Sequence, residues 1–287
     1  MEFFLSMDQL RLFSGVLVCG LWVSAVSDTA LAQLPALDDK PWLGYYAAVE
    51  HKRFNLGVTA QGKISLIPMG RTGKPVAHNL AIPILVGIEE MQPNGQYSLK
   101  EIQPATLESS SPATDKLENA VIRGKVTGDA SFEVTLEHER GVISIGGRML
   151  DPGKLKGASR FVIRMRFPNA YAQTRKARDK NDEKDFQKQV KGDRIDLKWT
   201  DGKRKKQAMD EKVDASSKDI NGPGIAAAEV EISSYQGRNF YVSSSENANL
   251  SLWNGGSAPL NQGFTFVWTP EAAKDPEGKA RLSIELK

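Results

Sequence analysis

From Ser159 to Pro168 the chain reads SRFVIRMRFP, and its side chains sort by parity: Phe161, Ile163, Met165 and Phe167 on one side, Arg160, Val162, Arg164 and Arg166 on the other. Successive side chains of an extended strand point to opposite faces. A period of two, with large apolar residues on one parity, therefore marks a strand with one buried face. The rhythm recurs through most of the chain. Runs at 42–49, 51–59, 63–68, 80–91, 97–102, 120–126, 131–137, 141–149, 225–233, 239–243, 248–253, 263–268 and 280–286 carry it in whole or in part. Turn formers such as Ala60-Gln61-Gly62, Pro93-Asn94-Gly95, Thr127-Gly128-Asp129 and Asn254-Gly255-Gly256 separate them. About fourteen strands are predicted, without the strand–helix alternation that a parallel sheet needs. The pattern predicts a mainly β fold, antiparallel and sandwich-like. Pro83 lacks an N–H, so it belongs at a strand start, an edge or a bulge.

One stretch breaks the rhythm. Ala172 to Lys218 holds 15 of the 38 Lys and Arg residues and 10 of the 35 Asp and Glu residues, so the net charge of +3 originates here. The segment has two parts. Residues 170–191 form a charged connector, rich in helix formers, whose large apolar residues are Tyr171, Phe186 and Val190. A helix so polar buries little. Beyond it, Ile195, Leu197 and Trp199 alternate with Arg194, Asp196 and Lys198, and Thr200-Asp201-Gly202 leads into residues 203–209. Asp-Gly between two such runs predicts a β-hairpin, with Lys203, Arg204, Lys205 and Lys206 beside its turn. Two arrangements stay open. One is a single large sandwich from which the connector projects. The other has an N-terminal β unit over 33–169 and a C-terminal β unit, including the hairpin, over 192–287.

The first 32 residues read as a signal peptide. An apolar run from Leu12 to Val26 is short for a membrane span but suits a leader core, and Ala30-Leu31-Ala32 gives the small-x-small cleavage pattern. Gln33 is then the first mature residue, and Met7 is an alternative start. The chain's one cysteine, Cys19, lies in this leader behind Val18, which argues against lipidation. The mature chain is then expected to lack disulfides, thiolate metal sites and a cysteine nucleophile, and to have no transmembrane segment. These features point to a bacterial exported protein, periplasmic or extracellular.

No motif selects a reaction. His51, His78 and His138 are scattered, without HxH or HExxH spacing, and no GxSxG elbow, Walker loop or dinucleotide fingerprint occurs. No catalytic residue, metal ligand or cofactor, nucleotide cofactors included, is assigned. Glu229 with Glu231, Glu137 with Glu139, and Glu89 with Glu90 are the close carboxylate pairs that glycoside hydrolysis would draw on. For Glu229 and Glu231, alternation predicts an ordinary solvent face. Asp179 to Asp185 resembles a calcium loop loosely, but Lys184 stands where such a loop needs glycine.

Two features point to binding. Lys203, Arg204, Lys205 and Lys206, with Arg194 and Lys198, make a cationic hairpin suited to an anionic polymer. Aromatic platforms beside amides suit sugars. Trp253, followed by Asn254 at a strand end, is the first candidate, and Trp199 on the hairpin the second. The expected role is non-catalytic binding of a glycan or other cell-envelope polymer, or a structural module. The alternatives are a carbohydrate-active enzyme on a sandwich fold and a scaffold subunit. The oligomeric state is not fixed by the sequence.

Overall fold

The computed structural model describes residues 34–171, 184, 188, 190–211, 224–254 and 258–287. The predicted signal peptide, the calcium-like loop apart from Lys184, and most of the charged connector lie outside the described residues. Of the connector, Lys184, Lys188, Val190 and Lys191 are helical, and Val190 is fully buried. The described residues, from Leu34 onward, form one compact unit.

Among the described residues there are seventeen strands, and all their ladders are antiparallel. The first sheet is a run of neighbours. β1 (Tyr45–His51), β2 (Phe54–Thr59), β3 (Ile64–Pro68) and β4 (Ile82–Met91) follow one another as a meander. β5 (Tyr97–Leu99) returns along the end of β4. β10 (Ser159–Phe167) lies on the other side of β4, then come β16 (Phe264–Pro270) and β15 (Ala248–Trp253). Pro83 sits at the start of β4 opposite Ser65, as a residue without an N–H should.

The second sheet begins with a meander of β6 (Glu108–Ser109), β7 (Asn119–Lys125), β8 (Ser131–Glu139) and β9 (Val142–Asp151). It continues through β17 (Leu282–Leu286), β14 (Asn239–Ser244) and β13 (Ile225–Glu231). The hairpin of β11 (Arg194–Trp199) and β12 (Arg204–Ala208) completes it. Among the described residues, one pairing between named strands, Ile225 with Leu250, links the two runs, and isolated bridges at Ala47–Thr114 and Ile102–Val126 lie outside the named strands. Each sheet holds strands from both sides of the connector, joined at one seam: β10 pairs with β16 in the first, and β9 with β17 in the second.

The inner faces of the two sheets meet in one apolar core. Phe167 of β10 packs edge-on against Phe240 of β14, with ring centroids 5.1 Å apart, and Phe161 faces Phe132 of β8 at 6.5 Å. These rings come from the apolar parity of β10, whose Phe161, Ile163, Met165 and Phe167 are all buried. Each such side chain contributes about 1.5–3 kcal/mol by leaving water. The register of β10 is thus fixed by its core face, since a one-residue slip would send four large apolar groups into solvent.

Candidate anion-binding groove

The other parity of β10 floors a groove of about 790 Å³ on the outer face of the first sheet. Strand registers set its layout. Glu89 of β4 lies opposite Arg160. Leu85, Arg164, Val267 and Ser251 form a row across β4, β10, β16 and β15. Arg166, Thr265 and Trp253 form the next. Three guanidinium groups, a buried carboxylate and an indole are thereby brought onto one surface from three strands, β10, β4 and β15.

Glu89 is the electrostatic centre. Its side chain is 0% exposed, and it accepts from Arg160 through Nε at 3.1 Å and Nη2 at 2.9 Å, and from Arg164 through Nε at 2.7 Å. Arg164 Nη2 also pairs with Glu89 Oε1. Burying a carboxylate is costly unless it is paired and hydrogen-bonded, and here both oxygens are engaged. The two guanidinium groups share one negative charge, so the cluster keeps a net positive charge, and exposed Arg166 adds another. Arg160 and Arg164 are 39% and 28% exposed, which leaves both reachable from the groove. Arg160 also lies over the Tyr97 ring, its Cζ 3.7 Å from the centroid. Trp253 is 52% exposed, and Leu85 adds further uncovered apolar surface. Asn254, beside Trp253, is buried and donates its amide to the Ala258 carbonyl at 2.8 Å, so it shapes the rim.

The hairpin candidates lie elsewhere. Trp199 packs into the core at 8% exposure, with Lys203 Nζ 5.7 Å from its ring centroid, so the ring is covered and is not offered as a sugar platform. The physical reason is parity, because Trp199 shares its face with buried Ile195 and Leu197. Lys203, Arg204 and Lys206 are exposed and Lys205 half-buried, along the edge strand β12, where cations deter edge-to-edge pairing. Lys206 lies 3.5 Å from Asp196.

The carboxylate pairs noted in the sequence are engaged structurally. Glu231 pairs with Arg194 at 2.8 Å, Asn239 donates to Glu229 at 3.4 Å, and Arg281 donates to Glu137 at 3.0 Å. His51 and His138, far apart in sequence, come within 6.0 Å, with Phe54 packed against both. Burial, followed by the charges of His138, Arg53, Lys52 and Arg238, holds His51 below the usual histidine range. Among the described residues, no group of three or more His, Cys, Asp or Glu side chains is disposed to hold a metal ion. No helix among them is long and apolar enough to cross a membrane.

Chemically, the groove offers positive charge and flat rings. Glu89 is the sole carboxylate among its described lining residues, and it is committed to two arginines. Glycoside hydrolysis with paired carboxylates needs a second one across the substrate. The arginines on β10 were visible as a parity class in the sequence. Glu89 and Tyr97 were not assigned to a site, because the order in which β4, β5 and β10 pair is non-local.

No family model matches the chain, and no curated protein matches it. Among solved structures, it is similar to a "putative mutarotase (YeaD)" from Salmonella typhimurium, with 12% sequence identity and a TM-score of 0.40, covering 83% of this chain and 89% of that one. The class that the strands and the groove define is an antiparallel β fold with a cationic, aromatic-flanked cleft.

Proposed function

We propose that the chain is an exported, non-catalytic binding module that holds an acidic glycan in the groove above β10. The observation that carries this reading is the set of Arg160, Arg164 and Arg166 on one strand face, opposed among the described lining residues by Glu89 alone, with Trp253 exposed across Thr265. Guanidinium groups match carboxylate and sulfate oxygens in a planar, two-point fashion. An exposed indole gives a sugar ring a flat apolar face, and the arginines supply selectivity for charge. On a longer anionic polymer, exposed Lys203, Arg204 and Lys206 are outlying contacts whose contribution weakens with salt. Binding is preferred to hydrolysis because the groove's one described carboxylate is engaged by arginines.

The test is calorimetric titration with acidic oligosaccharides, such as oligogalacturonates, beside neutral oligosaccharides of equal length. Saturable binding of the acidic series, weakened in Arg166→Gln and in Trp253→Ala, supports the reading. Equal affinity for the neutral series, or no saturable binding at moderate salt, overturns it. Export belongs to the same proposal. Fractionated cells should yield a mature protein beginning at Gln33, and a chain retained whole in the cytoplasm would refute it.

A further inference from the structure

A second cationic pocket, of about 580 Å³, lies away from the groove residues and is lined by Lys52, Arg53, Arg71, Thr72, Gly73 and Arg238. Three separate segments supply it: the turn between β1 and β2, the loop after β3, and the turn before β14. Four like charges around one hollow repel one another, so their neighbours are informative. Arg53 lies 3.6 Å from Glu285. Among the described residues, Lys52, Arg71 and Arg238 have no carboxylate within ion-pair distance.

Two of the guanidinium groups are held by neutral acceptors. Arg53 Nη1 donates to the Leu286 carbonyl at 2.6 Å, and Arg238 Nε donates to the Met69 carbonyl at 2.8 Å. A carbonyl fixes the orientation of a cation without cancelling its charge. The loop that carries Arg71 is itself tied down. Met69 N donates to Arg53 O at 2.8 Å, Gly70 N to Lys74 O at 2.8 Å, and Gly73 N to Gly70 O at 3.0 Å. Arg71 lies flat on the backbone of Gly237, where a Cβ would stand 2.9 Å from its Cζ. Gly237 has φ +75°, which also favours glycine. Among the described residues, Arg71 makes no hydrogen bond or ion pair, so its donors remain available. The pocket is thus a set of N–H donors of which Arg53 alone has a carboxylate neighbour among the described residues, with Thr72 in its lining. Neighbouring His51 registers the same field, being held below the ordinary histidine range first by burial and also by Arg53, Lys52 and Arg238.

We infer that this pocket is a second ligand site, one that takes a tetrahedral oxyanion, the sulfate or phosphate group of a substituted ligand. Several oriented guanidinium groups around one multi-oxygen anion match that geometry better than they match a single carboxylate.

Inorganic sulfate and inorganic phosphate are titrated separately into the isotopically labelled full-length protein at constant ionic strength, against a chloride control. The readout is the amide resonances of Thr72, Gly73 and Gly237. Saturable shifts at these amides are expected with one or both anions, and the tighter anion identifies the source group. Arg71→Gln, at an exposed position with no bond to lose, should weaken the binding at least tenfold, and Lys52→Gln should weaken it less. Trp253→Ala, in the groove, should leave it unchanged. Absence of saturable shifts beyond the chloride control overturns the inference, as does an unaltered affinity in Arg71→Gln.

Discussion

Arg160 joins Tyr97 to Glu89: its Cζ lies 3.7 Å from the tyrosine ring centroid while its Nε and Nη2 donate to the buried carboxylate at 3.1 and 2.9 Å. Glu89 therefore orients the groove's cations as well as neutralising one of them. Glu89→Ala should destabilise the fold by about 2–3 kcal/mol, less than the 3–5 kcal/mol of a broken fully buried pair, because both arginines reach water. Urea unfolding measures this. Glu89→Gln keeps the shape and one acceptor and should lose less. An Ala variant as stable as the parent would show that the carboxylate is dispensable.

Trp253 offers the converse case. Its ring is 52% exposed, so Trp253→Ala should leave stability within about 0.5 kcal/mol. Affinity for an acidic oligosaccharide should fall roughly tenfold, equivalent to about 1.4 kcal/mol. Thermal melting and calorimetry on the same samples separate the two effects. A large drop in melting temperature would place the indole in the fold's support instead.

Asp193 ties the end of the charged connector to the second sheet. Its Oδ2 accepts from the Tyr171 hydroxyl, from Ser233 N at 2.9 Å and from Ser233 Oγ at 3.0 Å, and the residue is buried. Burial and the hydrogen bond to Asp193 push the Tyr171 hydroxyl well above the usual tyrosine range, so it stays a donor at any working pH. Tyr171→Phe should cost about 1–2 kcal/mol, and Asp193→Ala more, because it strands several donors. In a double-mutant cycle the two losses should fall short of additive. Strict additivity would deny the coupling.

Glu90, beside Glu89, faces a different task. The Gly157 N–H, the Lys100 ammonium and the Lys156 N–H hold its carboxyl at about 2, against an ordinary value of 4.5. A depressed folded-state value means that its stabilisation is present above pH 4.5 and is lost as pH falls through about 2. Glu90→Gln should therefore flatten the stability–pH curve between those limits while lowering stability near neutrality. Acid titration followed by circular dichroism checks this, and parallel curves for the two proteins would contradict it.

The strands were legible in the sequence because their signals are local. Asp201-Gly202 announced its hairpin, and Lys198 pairs with Arg204 across it. Parity also distinguishes buried from exposed aromatic rings. Trp199 shares parity with Ile195 and Leu197 and is buried, whereas Trp253 shares parity with Asn249 and Ser251 and is exposed. Glu89 lies on the parity opposite Ile84, Val86 and Ile88, which marks it as facing away from the core. What alternation cannot supply is which strand lies beside which. The groove exists because β10 is inserted between β4 and β16, a pairing that brings together residues from both sides of the connector. Its arginines could be read one strand at a time, but their convergence with Glu89 and Trp253 could not. The hairpin cations drew attention because they are contiguous, a linear property that says little about where a surface closes around a ligand.

The division of β10 into two parities has a consequence for how such a protein can change. Phe161, Ile163, Met165 and Phe167 specify the strand's position, and Arg160, Arg164 and Arg166 occupy the alternate slots. Arg166, which is exposed and outside the Glu89 cluster, can be exchanged for a neutral or acidic residue without disturbing the core packing. If the groove binds as proposed, ligand preference is separable from foldability at Arg166, and a single substitution on one side of one strand would alter it.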